Sequence, residues 1–197
     1  MSNLFNPDPG ATTMLVLASA SPRRREILGR FIKEFQVIPS EADERCSLSD
    51  PGEYAVELAR RKARDVYGRV GGTVIGADTV VSINGHILGK PKNGEHAFRM
   101  LKLLSGRIHR VTTGYCIIHE GKEHCGKVVT EVKFRELDDD IIREYVKTGE
   151  PMDKAGAYGI QGKAGLFVEW IRGDYYNVVG FPLEIVWKLR EFGFRVL

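Results

Sequence analysis

The pattern of apolar and polar positions along the chain predicts strands and helices in mixed order. Continuous or alternating apolar runs predict strands over 14–18, 35–38, 73–77, 79–83, 107–119, 124–135 and 166–172. Apolar positions three and four apart predict helices over 22–30, 51–67, 94–104, 138–147 and 182–191. We therefore predict an α/β fold with a mixed central sheet, flanking helices and a long antiparallel ribbon.

The first predicted helix begins in a cationic run. Ser21 is a good N-cap, and Pro22 suits the first helical position. Free backbone N–H groups, serine hydroxyls and guanidinium groups converge there, which is typical of a phosphate site. A solvated basic helix end is the alternative interpretation. Because Arg23 and Arg24 share a helix face with apolar residues four positions on, we expect them to border the buried side.

The composition limits the class of protein. With 197 residues, 43% of them hydrophobic, the chain can form one large domain or two small lobes around a cleft. A net charge of +3 is too small to indicate a nucleic-acid-binding protein. No apolar run is long enough to predict a membrane span, and residues 1–13 lack the features of a signal peptide. We expect a cytoplasmic protein with a flexible leader over 1–13 and a single domain over 14–197.

The cysteines and histidines do not form a recognisable motif. Cys46, Cys116 and Cys125 are odd in number and lack C-x-x-C spacing, which argues against a disulfide scaffold or a zinc site. We expect them to be small buried apolar residues in a reducing compartment. The histidines lack metal-ligand spacing, and we expect no catalytic role for them.

Asp78 is the main candidate for a catalytic carboxylate. It interrupts an apolar strand, where burial of a carboxylate is costly unless a metal, a cation or water meets it. A structural aspartate bonded to a nearby loop is the alternative. Gly76-Ala77 before it would let a ligand approach the backbone closely. Glu44 and Asp43 alone would be ordinary solvated loop residues, but with Asp78 they could hold Mg²⁺ or Mn²⁺.

Three further residues suit a phosphorylated ligand. Lys62 lies one helical turn from apolar residues, so we expect it to point inward or along a cleft edge. Lys90 follows the predicted hairpin at the same end of the sheet, although a surface turn lysine is the alternative. Gln161 lies in a glycine-rich loop, 155–165, whose amides can close on a ligand but which is not a P-loop. Together these residues predict metal-assisted attack of water on a phosphoryl group.

Five stretches of the chain resemble the Maf family of nucleoside triphosphate pyrophosphatases. In the family's order they are Ser19-Ala-Ser-Pro-Arg-Arg24, Gly76-Ala-Asp-Thr-Val-Val81, Leu88-Gly-Lys-Pro91, Asp153-Lys-Ala-Gly-Ala-Tyr-Gly-Ile-Gln-Gly162, and Asn177-Val-Val-Gly180 with Pro182. The resemblance implies an inosine-triphosphatase-like fold with a cleft between two lobes. It also implies a homodimer, and hydrolysis of a nucleotide to its monophosphate and pyrophosphate with a divalent metal.

The resemblance also implies roles for single residues. Asp78 looks like the family's general base or metal-held carboxylate, and Glu44 looks like its acidic partner. The residues that look like phosphate ligands are Ser19, Arg24, Lys62 and Lys90. The residues that resemble the branch preferring dTTP and UTP are Arg23, Thr79 and Gln161.

Two other functions stay open at this point. One is a nucleotide- or nucleic-acid-binding regulator of cell division, which the small net charge disfavours. The other is a house-cleaning pyrophosphatase for modified purine nucleotides such as 7-methyl-GTP. The chain departs from the family pattern at Asp174, where serine is common, and at Phe181, where leucine is usual. Asp174 would change the charge of the cleft if it lined it.

Overall fold

The computed structural model describes residues 13–197. The strands are β1 (Leu15–Leu17), β2 (Gln36–Val37), β3 (Thr73–Ile83), β4 (His86–Leu88), β5 (Ile108–His119), β6 (Lys122–Phe134) and β7 (Val168–Arg172). The helices are α1 (Pro22–Gly29), α2 (Pro51–Val70), α3 (Gly94–Leu104), α4 (Asp139–Lys147), α5 (Tyr175–Val179) and α6 (Leu183–Lys188). Short 3₁₀ segments lie within 150–157, 163–167 and 189–192. The predicted leader lies outside the described residues except for Thr13.

A mixed sheet of seven strands forms the centre of the described part of the chain. Its order is β2-β1-β3-β5-β6-β7, with β4 paired to β3. β1 runs parallel to β2 and β3, whereas β3, β5, β6 and β7 pair in antiparallel fashion. The predicted mixed α/β class and the long ribbon, now β5 and β6, are confirmed.

The helix starts follow the predicted capping residues. The side chain of Ser21 accepts a hydrogen bond from the backbone N–H of Arg24, and Asp50 accepts one from Glu53 at 2.9 Å. α2 continues beyond its predicted end at Tyr67. It stops only at Gly71, whose φ of 65° takes the chain out of the helical conformation.

β3 is one uninterrupted strand that includes Asp78, in agreement with the predicted β run over 73–77 and 79–83. Asp78 pairs in register with Gly114 of β5, so the pairing of the two strands continues through the charged residue. A carboxylate inside an apolar strand is costly to bury unless a cation, a metal or water meets it. Here other polar groups meet the carboxylate, and the strand continues.

Two cysteines form a disulfide, which the sequence analysis did not predict. Cys116 of β5 and Cys125 of β6 lie directly opposite each other in the ribbon and are bonded. The pairing depends on the ribbon register, which cysteine spacing does not show. The expectation that all three cysteines are unpaired apolar residues is therefore wrong for this pair, and only Cys46 is free.

Two large clusters of buried residues pack around the sheet. One includes Met100 and Phe134 and packs beneath α3 and α4, and the other includes Leu17, Ile75 and Phe181. Within residues 13–197, no helix combines the length and apolar character needed to cross a membrane.

Candidate active site

A cavity of about 510 Å³ lies where the start of α1, the middle of α2, the middle of β3 and the glycine-rich loop meet. All the residues predicted for the site line it except Ser19 and Asp43. The carboxylate of Asp43 is instead paired with Arg45 at 2.8 Å, so Asp43 is not one of the carboxylates of the cavity. The cationic ones are Arg23, Arg24, Lys62 and Lys90. The others are Glu44, Asp78, Thr79 and Gln161. Segments far apart in the sequence are thus brought to one opening, and the charged residues at 23 and 78 share it.

A lysine joins the two carboxylates of the site. Nζ of Lys62 lies 2.8 Å from Oδ1 of Asp78 and 2.7 Å from Oε1 of Glu44. The side chains of Lys62 and Asp78 are only 14% and 13% exposed, whereas that of Glu44 is 64% exposed. The hydrogen bond from Lys62 lowers the pKa of Glu44 below its usual value. Lys62 therefore points into the cleft, as its helix position predicts.

The guanidinium of Arg24 holds three segments of the site together. Its Nε donates to the carbonyl of Gly180 at 2.9 Å, and its Nη1 donates to the carbonyl of Ala77 at 2.9 Å. Its Nη2 donates to the hydroxyl of Thr79 at 3.0 Å, and a longer contact of 3.4 Å reaches Ser19. Most of its five N–H donors are therefore used by the protein itself. Burial lowers the pKa of Arg24, and the nearby charge of Asp78 opposes that shift.

Ser19 is placed behind the cavity wall rather than in it. It is 6% exposed, and its hydroxyl accepts a hydrogen bond from the backbone of Ser21 at 3.1 Å. Its contacts organise the start of α1, and Ser21 is the serine that lines the cavity. The structure therefore gives Ser19 a supporting position, whereas the resemblance implies direct contact with phosphate.

Three lining residues keep their polar groups available. The side chains of Arg23, Lys90 and Gln161 face the cavity and make no hydrogen bond or ion pair to any residue in the described range. A guanidinium, an ammonium and an amide are thus free to meet a ligand. This is the arrangement that phosphate and base recognition require.

Gly76 serves a different purpose from the one predicted. A Cβ at Gly76 would overlap the carbonyl oxygen of Ala59 in α2, and one at Gly114 would overlap the backbone between Ala55 and Val56. The segment that approaches β3 closely is therefore a helix and not a ligand. This contact brings Lys62 to Asp78.

The two departures from the family pattern lie outside the cavity lining. The carboxylate of Asp174 accepts hydrogen bonds from the backbone of Tyr176 and of Leu183, both at 2.8 Å, and caps α5. Phe181 is fully buried in the core. Neither changes the charge of the cavity.

Several polar groups of the cavity wall were not predicted as site residues, although three of them lie in the quoted stretch 153–162. Glu150, Asp153, Lys154 and Tyr158 all line it. Lys154 bonds to Asp153 at 2.8 Å and lowers the pKa of that carboxyl. Asn177 was noted only as part of a motif, but it is fully buried and its Nδ2 donates to the carbonyls of Val111 and Val128. The available signal was the dense run of polar residues just before Ala155.

The carboxylates of the cavity fit a hard divalent cation. Oδ1 of Asp78 and Oε1 of Glu44 both contact the ammonium of Lys62, so two anionic oxygens converge on one cationic centre. A different cluster, formed by Cys116, Glu123 and Cys125, also brings metal-ligand atoms together. Its sulfur atoms are joined in the disulfide, and its carboxylate binds Arg64.

Comparisons with known proteins point to one family. The family model described as Maf-like protein matches residues 14–191. The chain is 79% identical to a dTTP/UTP pyrophosphatase of Thermococcus onnurineus, an alignment that covers 93% of this chain and 100% of the relative. A dTTP/UTP pyrophosphatase of Pyrococcus horikoshii is 54% identical, with 92% and 98% covered. One from Clostridium tetani is 47% identical, with 90% and 97% covered.

Proposed function

Because this chain belongs to the Maf family, we propose that it is a nucleoside triphosphate pyrophosphatase that hydrolyses dTTP and UTP. The products would be the nucleoside monophosphate and pyrophosphate. The observation that carries the proposal is one cavity in which free cationic groups face the Lys62–Asp78–Glu44 cluster. Relatives that share up to 79% of their residues with this chain bear that activity as their name.

The cationic residues would bind the triphosphate. Arg23 and Lys90 have no partner among the described residues, so their charge is available to phosphate oxygens. Arg24 is mostly satisfied by the protein, but it has no carboxylate within ion-pair distance in residues 13–197. Its unpaired charge makes the cavity electropositive and favours an anion. Binding of the triphosphate would thus depend on direct contacts from Arg23 and Lys90 and on the electrostatic field of Arg24.

Asp78 would act on the attacking water. Its Oδ1 is bonded to Lys62, while no described residue donates a hydrogen bond to its Oδ2. Water held at Oδ2 would add its oxygen to a phosphorus of the α–β anhydride, and the P–O bond of that anhydride would break. The proton of the water passes to Asp78, and pyrophosphate leaves. If Asp78 instead acts mainly as a metal ligand, the same position orients the water.

A divalent cation, Mg²⁺ or Mn²⁺, would be held by Asp78 and Glu44. When bound, it would neutralise charge on the phosphate oxygens and polarise the phosphoryl group. Metal dependence, cytoplasmic location and a homodimeric state stay predictions. Neither alternative function, in cell division or on modified purines, is favoured by a specific feature of the site.

A substrate panel tests the proposal. The protein is incubated with dTTP, UTP, CTP, 7-methyl-GTP and dITP in the presence of Mn²⁺, and pyrophosphate and orthophosphate are quantified separately. We expect pyrophosphate release, fastest with dTTP and UTP. Release of orthophosphate alone, or no turnover of any nucleotide, would contradict the proposal.

A further inference from the structure

One carboxylate outside the cluster around Asp78 holds the loop that carries Gln161. The carboxylate belongs to Glu150, which follows α4 and lines the cavity. Its Oε1 accepts a hydrogen bond from the hydroxyl of Tyr145 at 2.9 Å. Its Oε2 accepts one from the backbone N–H of Lys163 at 3.3 Å. Both oxygens are therefore used to hold neighbouring chain segments.

The hydrogen bonds of Glu150 and Tyr145 hold the glycine-rich loop on both sides of Gln161. The hydroxyl of Tyr145 also accepts a hydrogen bond from the backbone N–H of Gly159 at 3.3 Å. Gly159 precedes Gln161 by two residues and Lys163 follows it by two, so the segment 159–163 is fixed at its two ends. Tyr145 is 4% exposed, and burial raises the pKa of its hydroxyl, which stays a donor at neutral pH.

The glycines of the loop allow this close approach. A Cβ at Gly162 would overlap the carboxylate of Glu150. A Cβ at Gly159 would lie 2.5 Å from Cε of Lys154, whose ammonium donates to the carbonyl of Glu150 at 2.8 Å. The glycine-rich composition of the loop thus serves contact with two side chains of the preceding segment. Gln161 itself makes no hydrogen bond to a residue in the described range.

We propose that Glu150, acting with Tyr145, is a positioning residue that fixes Gln161 for recognition of the nucleotide base. The inference rests on the proposed function, because it assigns nucleotide selectivity to the loop. Its physical basis is that an amide can discriminate between bases only when its donor and acceptor are held in one orientation. A loop held only by its own turns would let the amide adapt to several bases.

The test compares Glu150→Gln and Tyr145→Phe with a matched control, Glu144→Gln. Glu144 lies on α4 but is exposed, and among residues 13–197 it bonds only to Lys147. The first readout is hydrogen exchange of the amides of 159–163, which does not depend on catalysis. We expect exchange to accelerate about tenfold or more in both test variants and to be unchanged in the control. Unchanged exchange in the test variants would overturn the inference. Thermal unfolding shows that each variant is folded.

The second readout is the ratio of kcat/KM for dTTP to that for dCTP. We expect this ratio to fall about tenfold in the test variants, the size of one lost hydrogen bond to the base, through a higher KM for dTTP with little change in kcat. A merely structural defect would lower kcat for both nucleotides and leave the ratio unchanged, which would also overturn the inference. If the wild-type protein hydrolyses no nucleotide, the proposed function fails, and the exchange readout still decides whether Glu150 fixes the loop.

Discussion

The ammonium of Lys62 lies 2.8 Å from the carboxylate of Asp78, and both side chains are largely buried. Lys62 comes from α2 and Asp78 from β3, so this pair joins a helix to the centre of the sheet. Asp78 lines the cavity, and no described residue donates a hydrogen bond to its second oxygen. The pair thus combines support of the fold with a carboxylate that is available to water or metal.

Replacement of Asp78 by Asn tests its proposed role. The amide keeps the size of the side chain and can still accept from Lys62, but it cannot take a proton or hold a cation as a carboxylate does. We expect kcat for dTTP to fall by more than about a thousandfold while the fold survives, as seen by circular dichroism. Asp139→Asn, which changes an exposed residue bonded to Lys102, is the matched control. Activity of Asp78→Asn near wild type would refute the assigned role.

The variant Arg24→Lys tests whether this arginine organises the site. Lysine has one ammonium and cannot reach Gly180, Ala77 and Thr79 at once as the planar guanidinium does. We expect the free energy of unfolding to fall by about 2 kcal/mol, with a higher KM for dTTP. Chemical denaturation and steady-state kinetics measure the two effects. Arg25→Lys, at the exposed neighbouring position, should change neither. An unchanged unfolding free energy for Arg24→Lys would show that its hydrogen bonds are dispensable.

Acid stability should depend on His109. It is 1% exposed, its Nε2 is 2.7 Å from the hydroxyl of Tyr158, and burial lowers its pKa to about 4. Between pH 6.5 and 4 the unfolded chain binds a proton that the folded chain does not. The contribution of His109 to the free energy of unfolding should therefore be constant above pH 6.5 and fall below it, by about 3 kcal/mol in total.

Denaturation curves measured across this pH range for His109→Gln provide the check. Glutamine keeps a hydrogen-bonding group near Tyr158 but does not titrate, so the slope below pH 6.5 should become shallower. The exposed His86→Gln serves as control and should retain the wild-type slope. If His109→Gln retains it as well, other groups cause the acid sensitivity.

Asp174 should contribute to stability and not to catalysis. Its carboxylate accepts from two backbone N–H groups, those of Tyr176 and Leu183. We expect Asp174→Ala to lower the free energy of unfolding by about 1–2 kcal/mol, the usual effect of losing a helix cap. Asp174→Ser, which retains a capping oxygen, should lose less. Both variants should keep the kinetics of the wild type, and a changed KM for dTTP would instead place Asp174 in contact with the substrate.

The disulfide between Cys116 and Cys125 should stabilise the ribbon. The two residues are nine positions apart, so the bond closes a short loop, and we expect reduction to lower the free energy of unfolding by about 2–3 kcal/mol. Cys125→Ser should remove the effect of the reductant, whereas Cys46→Ser should retain it. Alkylation under denaturing, non-reducing conditions followed by mass spectrometry should label one cysteine. Labelling of all three would show that the bond does not form.

Local signals predicted much of the fold. α3 begins and ends at the predicted residues, and Ser21 and Asp50 cap their helices as expected. Such features depend on neighbours within a few positions, which the sequence displays directly. The end of α2 and the pairing of Cys116 with Cys125 were missed. The first needed the conformation of Gly71, and the second needed the register of a ribbon.

The sequence was sufficient to predict most residues of the site but not the hydrogen bonds that join them. Charge and type were sufficient to select Lys62, Asp78 and Glu44 as candidates. Charge and residue type did not show that Arg24 donates hydrogen bonds to the carbonyls of Ala77 and Gly180, because backbone acceptors carry no signature in the sequence. Glu150 was missed for the same reason, because its carboxylate accepts from one backbone N–H, that of Lys163, and from the hydroxyl of Tyr145 in α4.

The glycines at 76 and 114 also affect the geometry of the site. Since α2 rests on bare main chain there, the stacking of the two elements sets the distance between their backbones, across which the side chain of Lys62 reaches Asp78. Alanine at either position would place a methyl group against the backbone of α2. The helix would have to move away from the sheet, and Lys62 would move away from Asp78. The contact between Lys62 and Asp78 thus depends on packing one layer beneath the residues that line the cavity.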